Sequence, residues 1–144
     1  MHHATATLLK HIDRVQEKLL KEIDLSEEEA LLRYNRAPLS ARRDIAVLGV
    51  IHRFALGKGP CQFGRFFEKV AVDQEKHGRP WIIKVTKKIA MIVATRRSLF
   101  GLPKIYDALD AKLVHVQTVQ GFQRCLQTKL KEEAGKVTVG WQRL

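Results

Sequence analysis

The side chains able to do chemistry in this 144-residue chain are six histidines, two cysteines, fifteen acids and twenty-six lysines and arginines. Catalysis needs such groups at set spacings, and those spacings are missing. Gly57-Lys58-Gly59 lacks the GxxxxGK(S/T) pattern of a phosphate-cradling loop and reads as a helix stop. No HExxH, GxSxG or paired-carboxylate signature occurs. Asp107 and Asp110 stand three apart beside a break in the chain, whereas a two-metal site needs acids converging from several elements. Of His2, His3, His11, His52, His77 and His115, only the terminal pair is close in sequence. His52 falls on the flank of an apolar helix and reads as a core histidine with satisfied ring nitrogens. No enzyme activity, metal, cofactor or small-molecule substrate is expected.

What remains is charge. The chain carries a formal +11 and a pI of about 10.0. Residues 1–38 hold six basic and seven acidic side chains, whereas residues 39–144 hold twenty and eight. An asymmetry of this kind points to a polyanionic partner, foremost nucleic acid. Arg42 and Arg43 fall in the first turn of a helix, where the dipole disfavours cations. They therefore call for an external anion or an acid such as Asp44. Arg53 lies eleven residues beyond Arg42 on the same strip. Lys84, Lys87 and Lys88 form a second cluster, and Arg96 with Arg97 a third. Each alone is an ordinary solvated face; three together suit a surface that tracks phosphates, fixing position without reading sequence.

The elements that must carry these groups read mainly as helices. Leu8, Ile12, Val15, Leu19 and Ile23 recur at helical spacing over residues 5–23. Ser26-Glu27-Glu28-Glu29 is a capping box opening a short second helix that Asn35 and Pro38 end. A third helix runs from Ser40 to about Leu56 and is apolar nearly all round, apart from a strip of Arg42, Ala46, Gly49 and Arg53. Gly57 to Pro60 stops it. Cys61 to Glu68 reads as one or two helical turns with Phe63, Phe66 and Phe67 inward, and residues 73–80 as a polar loop. Trp81 to Thr95 fits helical and strand patterns alike, and helix is the preferred reading, with Lys84 and Lys88 on one face. A turn of helix is expected over Ile105 to Leu109. A last helix opens at Thr118 and ends at Gly135.

The expected fold is mainly α: one domain over residues 1–144, a compact bundle of four to five helices. A short extended or hairpin segment is expected near 95–106. The tail over 136–144 is expected to be flexible, with Trp141 able to fold back on the body. The two cysteines form no CxxC pair and suit a reducing compartment. No leader is recognised, and the longest apolar run, Ile89 to Ala94, is far below the roughly 20 residues a bilayer span needs. A soluble intracellular protein of the nucleus or cytoplasm is expected, with no membrane partner.

The ordered set of segments resembles the C-terminal region of non-LTR (LINE-like) retrotransposon reverse transcriptases. Ala37-Pro38-Leu39-Ser40-Ala41-Arg42-Arg43-Asp44-Ile45-Ala46-Val47-Leu48-Gly49-Val50-Ile51-His52-Arg53 is similar to a segment near the end of those proteins. Ile12 to Gln16, Leu25-Ser26 and Ala30-Leu31 resemble its lead-in of a long helix and a capped short one. Arg96 to Leu102 and Tyr106 to Leu109 resemble its Arg-Ser-Leu-Gly-Leu and Tyr-Asn-Leu-Pro element. Val116 to Leu126 resembles the closing helix, and Trp141 sits where a closing tryptophan is often seen. Two departures stand out. Ala108-Leu109-Asp110 lacks the family's proline, and residues 80–95 do not match its polar linker. The palm's Tyr-Ala-Asp-Asp motif and the endonuclease acids are absent from the chain. The resemblance therefore implies a thumb-like piece from beyond the palm. It would grip the backbone of RNA–DNA or DNA without polymerising. The other class of reading is a decayed retroelement remnant or a helical protein–protein module with no activity of its own.

Overall fold

A computed structural model describes residues 6–86, 101–136 and 140–142. Local chemistry sets the ends of most helices. Helix α1 spans Ala6–Glu22 and stops where Asp24 takes a left-handed conformation, φ 51°. Helix α2 spans Glu27–Tyr34. The Ser26 hydroxyl accepts the Glu29 amide at 3.1 Å, and the Glu29 carboxylate accepts the Ser26 amide at 3.2 Å. Two of the orphan donors at the helix start are satisfied this way. At the other end Asn35 turns left-handed, and the amides of Asn35 and Arg36 reach back to the carbonyls of Leu31 and Ala30. The bond from the Asn35 amide to the Leu31 carbonyl is that of the αL closure, with asparagine in the usual glycine position.

Helix α3 spans Leu39–Ala55 and starts on the Pro38 carbonyl, which accepts the Arg42 amide at 3.0 Å. Its stop is Gly57 at φ +73°, and the Lys58 amide donates to the Arg53 carbonyl. No atom comes within 4 Å of a Cβ built on Gly57. Gly57→Ala therefore has no steric clash to answer for and should cost only the left-handed penalty, about 1 kcal/mol. Urea unfolding of the full chain reads that loss as a lower midpoint; an unchanged midpoint would remove the conformational argument.

A 3-10 helix follows at Cys61–Arg65, then strand β1 at Phe67–Ala71, helix α4 at Gln74–His77 and strand β2 at Trp81–Val85. The strands pair antiparallel, with Phe67 opposite Val85, Lys69 opposite Ile83 and Ala71 opposite Trp81. Three expectations are corrected here. Phe67 and Glu68 belong to a strand rather than to a helical turn. Residues 81–85 are strand rather than helix. A hairpin lies at 67–85, and within the segment expected to be extended near 95–106 the residues from Leu102 on belong to helix α5, Leu102–Ala108. The cause is non-local: β-branched Ile82, Ile83 and Val85 gain a partner in β1, and a short β-branched run gives no signal of its own that separates the two states. Residues 87–100, with the rest of the 81–95 and 95–106 expectations, lie outside the described residues.

Helix α6 is Ala111–Val114, capped by the Asp110 carboxylate on the Lys112 amide. Helix α7 is Val119–Gly135, and the Thr118 hydroxyl accepts the Gly121 amide at 3.1 Å, making Thr118 its N-cap. The fold is mainly α, with one two-stranded antiparallel sheet among the described residues.

The chain divides into two compact units, Met1–Arg43 with Gln127–Leu144, and Asp44–Leu126. In the first, Leu31, Ala37, Ala41, Leu130 and Ala134 form a buried cluster, and Trp141 packs against it. The second buries Leu48, Ile51, Phe67, Ile83, Leu102, Val114 and Leu126 around the ring group His52, Tyr106 and Phe122. Among the described residues no helix is long and apolar enough to cross a membrane.

Candidate nucleic-acid interface

Helix α3 carries the first predicted cations. Arg42 is exposed in its first turn, and its side chain makes no hydrogen bond or ion pair among the described residues. Arg43 is committed elsewhere. Its Nη1 and Nη2 lie 2.8 and 2.9 Å from the two carboxylate oxygens of Asp13 on α1. The pair joins one charge-assisted hydrogen bond, from Nη2 to Oδ2, to a close ionic contact between Nη1 and Oδ1. The acid that balances this turn is therefore Asp13, thirty residues upstream. Asp44 is buried at 4% exposure.

Arg53 is exposed near the C-terminal end of α3, where the dipole favours a cation. Its Nε donates to the Lys58 carbonyl at 3.0 Å, which leaves the two terminal nitrogens to face solvent. The predicted strip on α3 is broken at Gly49, which is buried under Gln123 of α7.

Lys84 is exposed on β2, directly opposite Glu68. It also lies close enough to Asp107 to favour that carboxylate's charged form. Two acids thus offset its field, and it is the weaker phosphate candidate. Lys87, Lys88, Arg96 and Arg97 lie outside the described residues. Arg42 and Arg43 belong to the first unit, Arg53 and Lys84 to the second.

The structure adds a residue that sequence reasoning missed. Lys69 on β1 donates to the Ala55 carbonyl at 2.8 Å and holds its ammonium 3.9 Å from the Trp81 ring centre. It therefore docks the hairpin at the same helix end that carries Arg53. Strand alternation would have put Lys69 and Trp81 on one face, had β1 and β2 been recognised.

Other titratable groups of the second unit are occupied structurally. His52 is fully buried and stacks on Phe122, ring centres 4.1 Å apart. Its Nε2 is 2.7 Å from the Val116 carbonyl and its Nδ1 2.9 Å from the Tyr106 hydroxyl. A carbonyl only accepts, so Nε2 carries the proton and Nδ1 accepts from Tyr106. Burial lowers the His52 pKa from its ordinary value and raises that of Tyr106. Asp107 accepts the Ile83 amide at 3.0 Å and faces Arg79 at 3.9 Å; burial raises its pKa against both partners. Among the described residues no three histidines, cysteines or acids converge as metal ligands.

Comparison with protein-family models, with curated proteins and with solved structures finds no match to this chain.

Proposed function

We propose that the chain binds the sugar–phosphate backbone of nucleic acid without catalysis, as a post-palm, thumb-like region of a retroelement reverse transcriptase. The observation that carries the binding is the charge of the Asp44–Leu126 unit. It holds fourteen basic against six acidic side chains, and two of those acids, Asp44 and Asp107, are buried or half-buried. Arg79 is buried beside Asp107, so that pair cancels and the excess of eight positive charges rests on the other side chains of the unit. The assignment to retroelements rests on the ordered sequence resemblance and on nothing else.

Titration of the full chain with an RNA–DNA hybrid at several salt concentrations tests the reading. Each phosphate contact contributes about −0.9 to the slope of log K against log salt. Arg42→Gln and Arg53→Gln are each expected to reduce that slope by about 0.9, whereas Arg43→Gln is not, because Asp13 already holds that side chain. Absence of binding at low salt, or slopes unmoved by Arg42 and Arg53, would overturn the proposal. The protein–protein reading is favoured by one observation, the exposed apolar line on α1 described next.

A further inference from the structure

Helix α1 has two faces, and the more apolar one points outward. Toward its own unit it turns Leu9, Asp13, Gln16 and Leu20, of which only Leu20 is fully buried. Ile12, Val15, Leu19 and Ile23 stand 45, 67, 55 and 58% exposed, with Leu8 on the same line. The inward face anchors the helix through Leu20 and the Asp13–Arg43 pair. The outward line is therefore presented on a helix already held in place.

We infer that this line is a self-association surface, and that its occupant is the same helix of a second copy of the chain. Three observations favour that occupant. First, the spacing 8, 12, 15, 19 alternates four and three, which is the a/d seam by which one helix packs on another of the same kind. Second, the area suits two copies. Five side chains about half exposed present roughly 500 Å² on one chain, so a line facing its own copy buries about 1,000 Å², the lower bound for a specific interface. A patch of this size is comparable to the largest on a typical monomer, and such patches are often functional.

Third, the rest of the helix argues against a membrane. Helix α1 carries Lys10, Arg14, Lys18 and Lys21 against Asp13, Glu17 and Glu22, and no Trp or Phe. An interfacial membrane helix instead carries a polar face rich in lysine and arginine, whereas here acids nearly balance the bases. A two-fold pairing satisfies the line with itself and closes, leaving no open end. The inference does not depend on nucleic-acid binding, and its measurement needs none.

Sedimentation equilibrium of the full chain, from low to high micromolar concentration and without nucleic acid, tests it. The wild-type chain is expected to pass from monomer to dimer. Val15→Glu with Leu19→Glu places unpaired charges in the seam and should weaken the dimer on the order of a hundredfold or more. The variant's circular dichroism should stay unchanged, because both positions face solvent in one copy. Should the double variant misfold, Val15→Ser alone, at the most exposed position, replaces it, again with a weaker dimer expected. A wild-type chain that stays monomeric throughout, or a folded variant that dimerises as tightly as wild type, would overturn the inference. Higher oligomers in place of a dimer would overturn it too.

Discussion

Arg79→Met should destabilise the chain by about 3–5 kcal/mol, the cost of breaking a buried pair from one side. Arg79 lies in a stretch whose composition reads as a polar loop, yet it is 4% exposed. Its Nη1 donates to the Tyr106 carbonyl at 3.1 Å and its Nη2 to the Leu109 carbonyl. Both carbonyls sit at the C-terminal end of α5, where orphan acceptors and the helix dipole both favour a cation. Asp107 completes the arrangement, with one oxygen on the Ile83 amide of β2. One guanidinium thus joins the hairpin connection, a helix end and, through Asp107, a strand.

Removing it leaves a half-buried carboxylate and two carbonyls without their donor. The partner variant separates these losses. Asp107→Asn keeps an acceptor for the Ile83 amide and removes the charge, so Arg79→Met/Asp107→Asn should lose less than the two single losses added. Additive losses in a denaturant double-mutant cycle would show that Asp107 is indifferent to Arg79. Arg79→Lys should recover only part of the loss, because an ammonium cannot place two planar donors on two carbonyls.

His52 governs the second large effect, a loss of stability on mild acidification. Its neutral form is complete: the proton on Nε2 goes to Val116, and Nδ1 takes the Tyr106 hydroxyl proton. Protonating Nδ1 would set two hydrogens against each other until the Tyr106 hydroxyl turned, and it would place a charge in a ring cluster. Burial therefore holds the folded-state pKa below the ordinary 6.5. The unfolded chain then binds more protons than the folded one across the interval between the two values. The contribution is fully present above pH 6.5 and is lost as pH falls from there toward the folded value.

The urea midpoint should therefore drop over that interval. His52→Gln keeps a donor for Val116 and cannot titrate, so its midpoint should fall less steeply there. It should also start lower by about 1–3 kcal/mol, because the Tyr106 hydroxyl loses its acceptor. Equal slopes in wild type and His52→Gln would assign the pH dependence to other groups.

These two sites differ in how far they could be read from the chain. His52 on an apolar helix flank reads as a satisfied core residue from its position alone, although its partners, 54 and 64 residues away, do not. Arg79 shows no sign of burial, because what buries it is the end of a helix 27 to 30 residues on. The same division runs through the fold. The Ser26 box, the Gly57 stop and the Thr118 cap were legible because each is settled within a few residues. The hairpin was not, because five residues of Trp-Ile-Ile-Lys-Val become a strand only when Phe67–Ala71 lies beside them.

The candidate site shows the limit most clearly. The need of the Arg42–Arg43 turn for an anion was legible, but the identity of the acid was not, since Asp13 meets Arg43 through folding and not through spacing. On α1 the apolar line was legible and its direction was not. A helix of this pattern normally turns its apolar line to the core. Here Leu20 and the Asp13–Arg43 pair settle which way the helix faces.

The two tryptophans fall one to each unit. Trp81 lies in the hairpin under the Lys69 ammonium, and Trp141 lies against the Leu31–Leu130 cluster. Intrinsic fluorescence is therefore already partitioned. With Trp141→Phe the emission follows Asp44–Leu126, and with Trp81→Phe it follows the remainder of the chain. The Lys69 ammonium beside Trp81 and the apolar cluster beside Trp141 give the two indoles different surroundings, which should shift their emission by different amounts. A single denaturation curve recorded at two wavelengths can then reveal whether this polypeptide melts in one step or two, without any added label.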